Sequence, residues 1–343
     1  MVKSGKRRNL ADTVQLFLCR HCRRKFSHRP SPHITYPIHA IIETLSLYNR
    51  GYTLEESARR AGKRHHLSIS KQLAATWKDR YADRFPYFRI RDAIASACAP
   101  HSLILSARLH HGQVYDFSYH WGKTEHLLAR NAPQSPLHDQ GKGRTHQGQH
   151  RSFEALRFFL ESVPTDTPHD LFRAQRTRAS QTSTRFSLSE VAIIERKNAA
   201  IEMARFVIPT VSRNTKRHET LQDFMLVNDS VTIAVEVPLF LTSADVRHFT
   251  DVLGFSIPFA VEKGATITGH IDILQIRNGM IHILDYKPDA KHDKPIEQLM
   301  VYALALSRRT GMRLYHFKCA WFDDEHYYEF YPLHVVHKRK PAA

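Results

Sequence analysis

The sequence predicts an α/β protein in which a mainly helical N-terminal half precedes a small mixed sheet covered by helices. Two observations predict this division. Between residues 37 and 82, apolar residues recur at helical spacing, with Gly51 and Gly62 as breaks. From residue 189 onward, the segments read helix, strand, strand, strand, helix, strand, an order typical of an α/β sandwich. We therefore expect two packed parts in this chain of 343 residues.

The charge balance indicates a polyanionic partner. Lys and Arg outnumber Asp and Glu by 50 to 33, and the first 100 residues hold 20 of these basic residues against 7 acidic ones. Such an excess favours nucleic acid as the partner, here DNA, although a solvated basic face is the alternative. Four cysteines, no apolar run of about 20 residues and no signal-peptide core together predict a cytoplasmic protein without a membrane contact.

Residues 1–35 are predicted to be a basic arm followed by a short extended unit around Cys19-x2-Cys22. Two cysteines at this spacing are half of a zinc site, which needs four ligands. His28 and His33 could complete it, so Zn²⁺ is a candidate cofactor. The alternative is a knuckle that folds by its own packing.

Residues 36–98 are predicted to form three helices. The first covers 37–49, and Thr53 with Glu56 forms a capping box for the second, which should end at Gly62. Ser68 or Ser70 can cap the third. Two helices joined by a short basic turn favour a DNA-binding helix-turn-helix over a plain three-helix bundle. The last helix would offer DNA four polar side chains: Lys71, Gln72, Lys78 and Arg80.

Residues 15–82 resemble the N-terminal region of insertion-sequence transposases, where half of a zinc ribbon precedes a helix-turn-helix. The resemblance implies that this part binds DNA. Residues 99–188 are predicted to be a connecting region with short strand-like and helical pieces at 100–128, a polar linker at 130–150 and a helix at 152–162. Residues 173–186 are polar and basic, and they are predicted to be a second linker or a loop that faces nucleic acid.

The segment "GHIDILQIRNGMIHILDYK", residues 269–287, predicts a hairpin that carries two opposed carboxylates. Asn278-Gly279 favours a two-residue turn, so paired residue numbers add up to 557 and Asp272 faces Asp285. Lys287 should lie on the same face. Two carboxylates this close need a shifted pKa or a cation between them, and Mg²⁺ suits oxygen ligands. The alternative is an Asp–Lys ion pair on a solvated face.

Residues 189–335 resemble the PD-(D/E)XK nucleases of the RecB-like branch. The resemblance rests on three motifs in order: G-x-x-D at 269–272, D-x-K at 285–287 and Q-x-x-x-Y at 298–302. It implies a restriction-endonuclease-like αβββαβ core in this C-terminal half.

The resemblance also implies roles for the motif residues. Asp272, Asp285 and the backbone carbonyl of Tyr286 would bind Mg²⁺ or Mn²⁺. Lys287 would orient or activate the attacking water, or stabilise charge on the phosphate. Gln298 and Tyr302, four apart and hence on one helix face, would border the site. The alternative for this last pair is ordinary helix surface and core.

One feature of the RecB-like branch is missing from the predicted helix before the first strand. Many members place a histidine there, but "SEVAIIERKNAAIEMARF" has none. Glu195 or Glu202 could supply a ligand instead, or be surface charges. Glu236 lies in an otherwise apolar strand, where an unpaired buried acid would be costly, so a metal or a polar partner is expected beside it.

These observations predict a Mg²⁺-dependent DNA nuclease that the helix-turn-helix places on DNA. A catalytically inactive DNA-binding regulator or transposition-associated protein is the alternative. A transposase with an RNase H-like acidic triad is disfavoured, because about 100 residues before residue 189 are short for that domain. A mobile element, genome defence and DNA repair all remain open as biological roles.

Overall fold

The computed structural model describes residues 1–8, 13–27, 36–131, 146–172, 176–181, 186, 192–211 and 214–337. The α-helices among these residues are α1 Ile38–Asn49, α2 Leu54–His65, α3 Lys71–Arg80, α4 Phe88–Ala95, α5 Trp121–Asn131, α6 His146–Asp166, α7 Ala199–Val207, α8 Arg217–Asn228, α9 Ser243–Arg247, α10 Ile296–Thr310 and α11 Pro332–Val336. The strands are β1 Val2–Arg8, β2 Thr13–Leu18, β3 Lys25–Ser27, β4 Leu105–His110, β5 Val114–Tyr119, β6 Arg176–Arg178, β7 Ile194–Glu195, β8 Thr232–Thr242, β9 Thr266–Arg277, β10 Met280–Tyr286, β11 Phe317–Phe322 and β12 Tyr327–Phe330.

The N-terminal residues form a small antiparallel sheet rather than a basic arm. β1 pairs with β2, and β2 pairs with β3. Apolar residues are concentrated in β2, TVQLFL, whereas β1, VKSGKRR, is mostly basic and has no alternating pattern that would predict a strand. Cys19 and Cys22 lie at the turn between β2 and β3, where the Cys19 backbone N–H donates to the Arg24 carbonyl over 3.0 Å.

Three helices follow where the sequence predicts them. The Thr53 hydroxyl accepts from the Glu56 N–H, and the Ser70 hydroxyl accepts from the Leu73 N–H, so Ser70 is the cap of α3. α2 does not end at Gly62 but continues to His65. Gly62 is needed inside the helix because the Leu67 carbonyl oxygen would lie 2.6 Å from an added Cβ.

These helices pack directly on the C-terminal half. Ile41, Leu45 and Trp77 belong to the same hydrophobic cluster as Ile273 and Leu284 of the main sheet. At the buried interface between α1 and α8, the Asn49 side chain donates a hydrogen bond of 2.9 Å to the Asn228 side chain. The helices and the sheet therefore share one continuous core.

The main sheet has nine strands among the described residues and is mixed. Its order is β4-β5-β8-β9-β10-β11-β12-β7, and β6 pairs with β9. Neighbours are antiparallel except for β10–β11 and β6–β9, which are parallel. β4 and β5 come from the predicted connecting region, so that region extends the sheet instead of only linking two parts.

The predicted αβββαβ order is present in α8, β8, β9, β10, α10 and β11. The helical stretch before β8 is not one helix, however, but α7 and α8. α6 and α10 pack on one face of the sheet, against Ile281 and Ile283, and α7 and α8 pack on the other, against Leu284 and Tyr286. Within the described residues, no helix combines the length and the apolar character that crossing a bilayer requires.

Candidate active site

The turn at Asn278-Gly279 gives the hairpin the predicted register. Both residues have positive φ, +52° and +69°, as a type I′ turn requires. The pairs run from Met280–Arg277 to Leu284–Ile273, and each pair adds up to 557. The next position along the two strands sets Asp272 opposite Asp285, as the sequence predicts.

Glu236 extends this pair into a row of three carboxylates across three strands. β8 pairs Val235 with Ile273 and Val237 with Ile271, so Glu236 lies opposite Asp272. Glu236 has φ +53°, a left-handed conformation that is costly for a residue with a Cβ. Such local strain is typical of residues held in place for function.

Polar side chains of β10 and α10 surround Asp285. Lys287 Nζ lies 2.9 Å from Asp285 Oδ2. Gln298 Nε2 donates to Asp285 Oδ1 and to the Tyr302 hydroxyl, over 3.0 Å each. The buried Asp285 Oδ2 therefore faces the ammonium group of Lys287. An exposed-surface ion pair is therefore excluded, since Asp285 is only 1% exposed.

The remaining contacts fix Asp272 and the helix behind it. The Tyr286 backbone N–H donates to Asp272 Oδ2 over 3.3 Å. Tyr302 packs against the backbone of Gly269 so closely that a Cβ there would lie 2.4 Å from the Tyr302 ring. The glycine of the G-x-x-D motif thus makes room for the tyrosine of the Q-x-x-x-Y motif.

The carboxylates have raised pKa values. Burial raises the pKa of Asp272 well above its ordinary range, and the charges of Asp285 and Glu236 raise it further. Burial raises the pKa of Asp285, although Lys287 acts in the opposite direction. Burial raises the pKa of Glu236 to about 7, against a hydrogen bond that Gln222 donates over 2.8 Å. Three acids in this state suit a divalent cation, which would supply the missing positive charge.

The donor set fits Mg²⁺ rather than a metal that needs a closed protein cage. Mg²⁺ takes one or two carboxylates and keeps several waters. Asp272 and Asp285 provide such oxygens. Among the described residues, no three His, Cys, Asp or Glu side chains converge closely enough for a preformed cage.

His218 is a residue of this site that was not predicted from the sequence. It lies on α8, the helix that directly precedes β8, with Nδ1 3.9 Å from Asp272 Oδ2. Burial, and then the charge of Lys287, lower the pKa of His218, which keeps its imidazole neutral at pH 7. The predicted helix, SEVAIIERKNAAIEMARF, ends at Phe206, and α8 begins at Arg217. The four-residue spacing of Leu221 and Met225 is a signal for α8, but it is weak because apolar residues lie around most of this helix.

Two candidate ligands lie away from the carboxylates. Glu195 is exposed on the edge strand β7, three strands from β10 and hence roughly 14 Å away. Glu202 lies on α7 and forms ion pairs with Arg205 of the same helix and with Arg84. The alternative, that both are surface charges, describes them: Glu195 lies on β7 rather than on the predicted helix, and Glu202 lies on α7, which α8 separates from β8.

The N-terminal candidates have surface positions. Lys71, Gln72 and Arg80 are exposed on α3, and Lys78 is half-buried with Nζ 5.6 Å from the centre of the Tyr48 ring. Backbone N–H groups of Cys22 and His21 lower the pKa of the Cys19 thiol, which favours a metal-binding thiolate. His28 and His33 lie outside the described residues, so a zinc site remains a prediction.

A comparison with protein families gives one result that bears on this site. The family model described as the PD-(D/E)XK nuclease superfamily matches residues 154–326, half of the chain. Comparisons with curated proteins and with solved structures found no match. The matched segment contains all three carboxylates, Lys287 and α10, and it leaves out α1–α5 and the β4–β5 hairpin.

Proposed function

Because the chain belongs to the PD-(D/E)XK nuclease superfamily, we propose that it is a Mg²⁺- or Mn²⁺-dependent DNA nuclease of the RecB-like kind. The row of Glu236, Asp272 and Asp285 across three strands is the observation that supports this best. His218, on the helix before β8, supports this proposal, because many members of that branch have a histidine on the corresponding helix. The four free cysteines favour a reducing cytoplasm as its location.

In the proposed mechanism, Asp272, Asp285 and the Tyr286 carbonyl would hold the cation, with Glu236 and His218 beside them. When bound, Mg²⁺ would polarise the phosphodiester and lower the pKa of a water. Burial lowers the pKa of Lys287, but Asp285, Asp272 and Asp293 together raise it more, so the net shift is upward. A protonated Lys287 would orient the water or stabilise charge on the phosphate.

Gln298 and Tyr302 act on this group from α10. The amide of Gln298 holds Asp285 through one carboxylate oxygen, which leaves the other oxygen directed to Lys287 and the cation. Tyr302 is buried and supports both Gln298 and the Gly269 backbone. These contacts make Gln298 and Tyr302 positioning residues for the carboxylates.

A cleavage assay tests this function. Closed circular DNA and end-labelled linear DNA are incubated with Mg²⁺, with Mn²⁺ or with EDTA. We expect cutting that needs the metal and that Asp285→Ala and Lys287→Ala abolish without loss of DNA binding, whereas Asp251→Ala, at an exposed carboxylate, leaves it unchanged. Cutting that persists in the two site variants refutes the assignment of the site. Binding without cutting by the wild type favours the inactive regulator instead.

We also propose that α3 contacts DNA phosphates through Lys71 and its neighbours, as in a helix-turn-helix. Affinity should then fall steeply as salt rises. Lys71→Ala should weaken binding to all sequences and reduce the slope of log K against log salt by about one. A flat salt dependence of the wild type contradicts this role.

A further inference from the structure

A cavity of about 240 Å³ opens beside the carboxylates and extends away from them. Asp272, Glu236 and His218 line its inner part. Its outer part is lined by side chains of a different kind, which are aromatic, basic or hydroxylic: His111, Tyr115, Phe172, Arg178, Ser180 and Thr268. The proposed mechanism uses none of these outer residues.

The β4–β5 hairpin builds one side of this outer part. His111 and Tyr115 come from this hairpin, which lies outside the segment that matches the superfamily. Tyr115 stacks on His270 with ring centres 3.6 Å apart, and His111 stacks on Phe172 at 3.9 Å. A 2.9 Å hydrogen bond joins the imidazoles of His111 and His270. The outer wall is therefore a rigid aromatic block two residues from Asp272.

The opposite side of the outer part carries a cation. Arg178 ends β6, where its backbone pairs with Thr268 of β9, and the exposed Ser180 follows in a short turn. Among the residues that line the cavity, Arg178 carries the permanent positive charge, whereas the carboxylates of Glu236 and Asp272 lie at the inner end. An arginine and a hydroxyl beside an aromatic wall suit a group with both a phosphate and a flat ring.

The size of the cavity limits what can enter it. Pockets that enclose whole small molecules begin at about 300 Å³, so a cavity of about 240 Å³ can hold part of a nucleotide, such as its base, while the rest stays at the opening. A strand whose phosphate lies at Asp272 could place the base of a neighbouring unpaired nucleotide in this space.

We propose that the cavity is a nucleotide subsite that holds the nucleotide next to the scissile phosphate, with its phosphate at Arg178 and Ser180 and its base against the wall containing Tyr115. The subsite rests on the proposed nuclease function for the position of the scissile phosphate, but its binding of a nucleotide can be measured separately. Tyr115 and Arg178 are then determinants of binding rather than of the chemical step.

Calorimetric titration of the full-length protein with deoxyadenosine monophosphate, in EDTA and in Mg²⁺, tests the subsite without any cutting. We expect one nucleotide per chain. Arg178→Ala should weaken binding at least tenfold, since it removes a charge-assisted contact. Tyr115→Ala should weaken it about fivefold or more, and Tyr115→Phe, which keeps the ring, should bind almost like the wild type. Arg108→Ala removes one positive charge from the same hairpin outside the cavity and should change nothing.

Several results would overturn the subsite. The subsite is refuted if the wild type does not bind the nucleotide at all, if Arg178→Ala and Arg108→Ala bind it with equal affinity, or if the wild type binds inorganic phosphate as tightly as the nucleotide. If Tyr115→Ala fails to fold, Arg178→Ala decides the question. Nucleotide binding by a protein that cuts no DNA refutes the nuclease function and supports the subsite. Cutting with unchanged KM in Arg178→Ala refutes the subsite and supports the function.

Discussion

Replacing Glu236 by glutamine should stabilise the metal-free protein at high pH. Glu236 lies beside Asp272 in the row of carboxylates, and burial makes its charged form unfavourable. Glutamine has the same shape and can still accept the hydrogen bond from Gln222. The substitution therefore removes the charge and leaves the packing in place.

The pKa of Glu236 sets the size of this effect. It rises from 4.5 to about 7 in the folded protein. A difference of one pKa unit corresponds to about 1.4 kcal/mol, so the charged carboxylate costs at most about 3 kcal/mol. Between pH 4.5 and 7 the folded state binds the proton more tightly than the unfolded state. The free energy of unfolding of the wild type therefore falls as pH rises through this window, and the full cost is present above pH 7.

Urea unfolding, followed by circular dichroism in EDTA, measures this difference. Above pH 7 Glu236→Gln should be up to about 3 kcal/mol more stable than the wild type, and near pH 4.5 the two should be equal. Added Mg²⁺ should stabilise the wild type more than the variant. Glu219→Gln, at an exposed glutamate on α8, is the control. If the stability gained by Glu236→Gln is independent of pH, or if the variant gains no stability, then Glu236 does not carry an unneutralised buried charge.

Three further predictions concern other parts of the fold. Gly269→Ala should lower the free energy of unfolding by about 1–3 kcal/mol and reduce cutting, because the new Cβ would lie 2.4 Å from the Tyr302 ring; unchanged values in urea unfolding and cleavage assays would contradict the close approach. Leu45→Ala should lower the free energy of unfolding by about 2–5 kcal/mol, and calorimetry should show a single transition for the whole chain at a lower temperature, since Leu45 shares a hydrophobic cluster with Ile273. Two thermal transitions, one of them unchanged by the substitution, would contradict the shared core. Burial lowers the pKa of Lys123 from 10.5 to about 7, so between pH 7 and 10 the folded state binds fewer protons than the unfolded state. The free energy of unfolding of the wild type, relative to that of Lys123→Met, should therefore rise with pH in this range. A difference in urea unfolding that stays constant with pH would show that Lys123 is not desolvated.

The hairpin and its two aspartates could be predicted from the sequence because all the information is local. Asn278-Gly279 specifies the turn, the turn specifies the register, and the register sets Asp272 opposite Asp285. The position of Gln298 beside Asp285 follows from the family resemblance. The strand pairing of Glu236 with Asp272 depends on an irregularity near Thr232 in β8, which no local pattern encodes.

The other elements around the site could not be predicted because they depend on contacts distant in sequence. β4 and β5 have mixed polar and apolar residues, and only their pairing with β8 brings Tyr115 to the cavity. α8 has apolar residues around most of its circumference, since it is buried between the sheet and α1, and this weakened the helical pattern that would have revealed His218. The N-terminal sheet could not be predicted because β1, VKSGKRR, is basic without alternation and becomes a strand through its pairing with β2.

Calorimetric titration with Mn²⁺ tests the central claim, that the opposed carboxylates of β9 and β10 hold a divalent cation. The account predicts that the wild type binds the metal, that Asp272→Asn and Asp285→Asn each abolish this binding, and that Asp251→Asn binds as the wild type does. Absence of binding by the wild type, or equal binding by all four proteins, would contradict it.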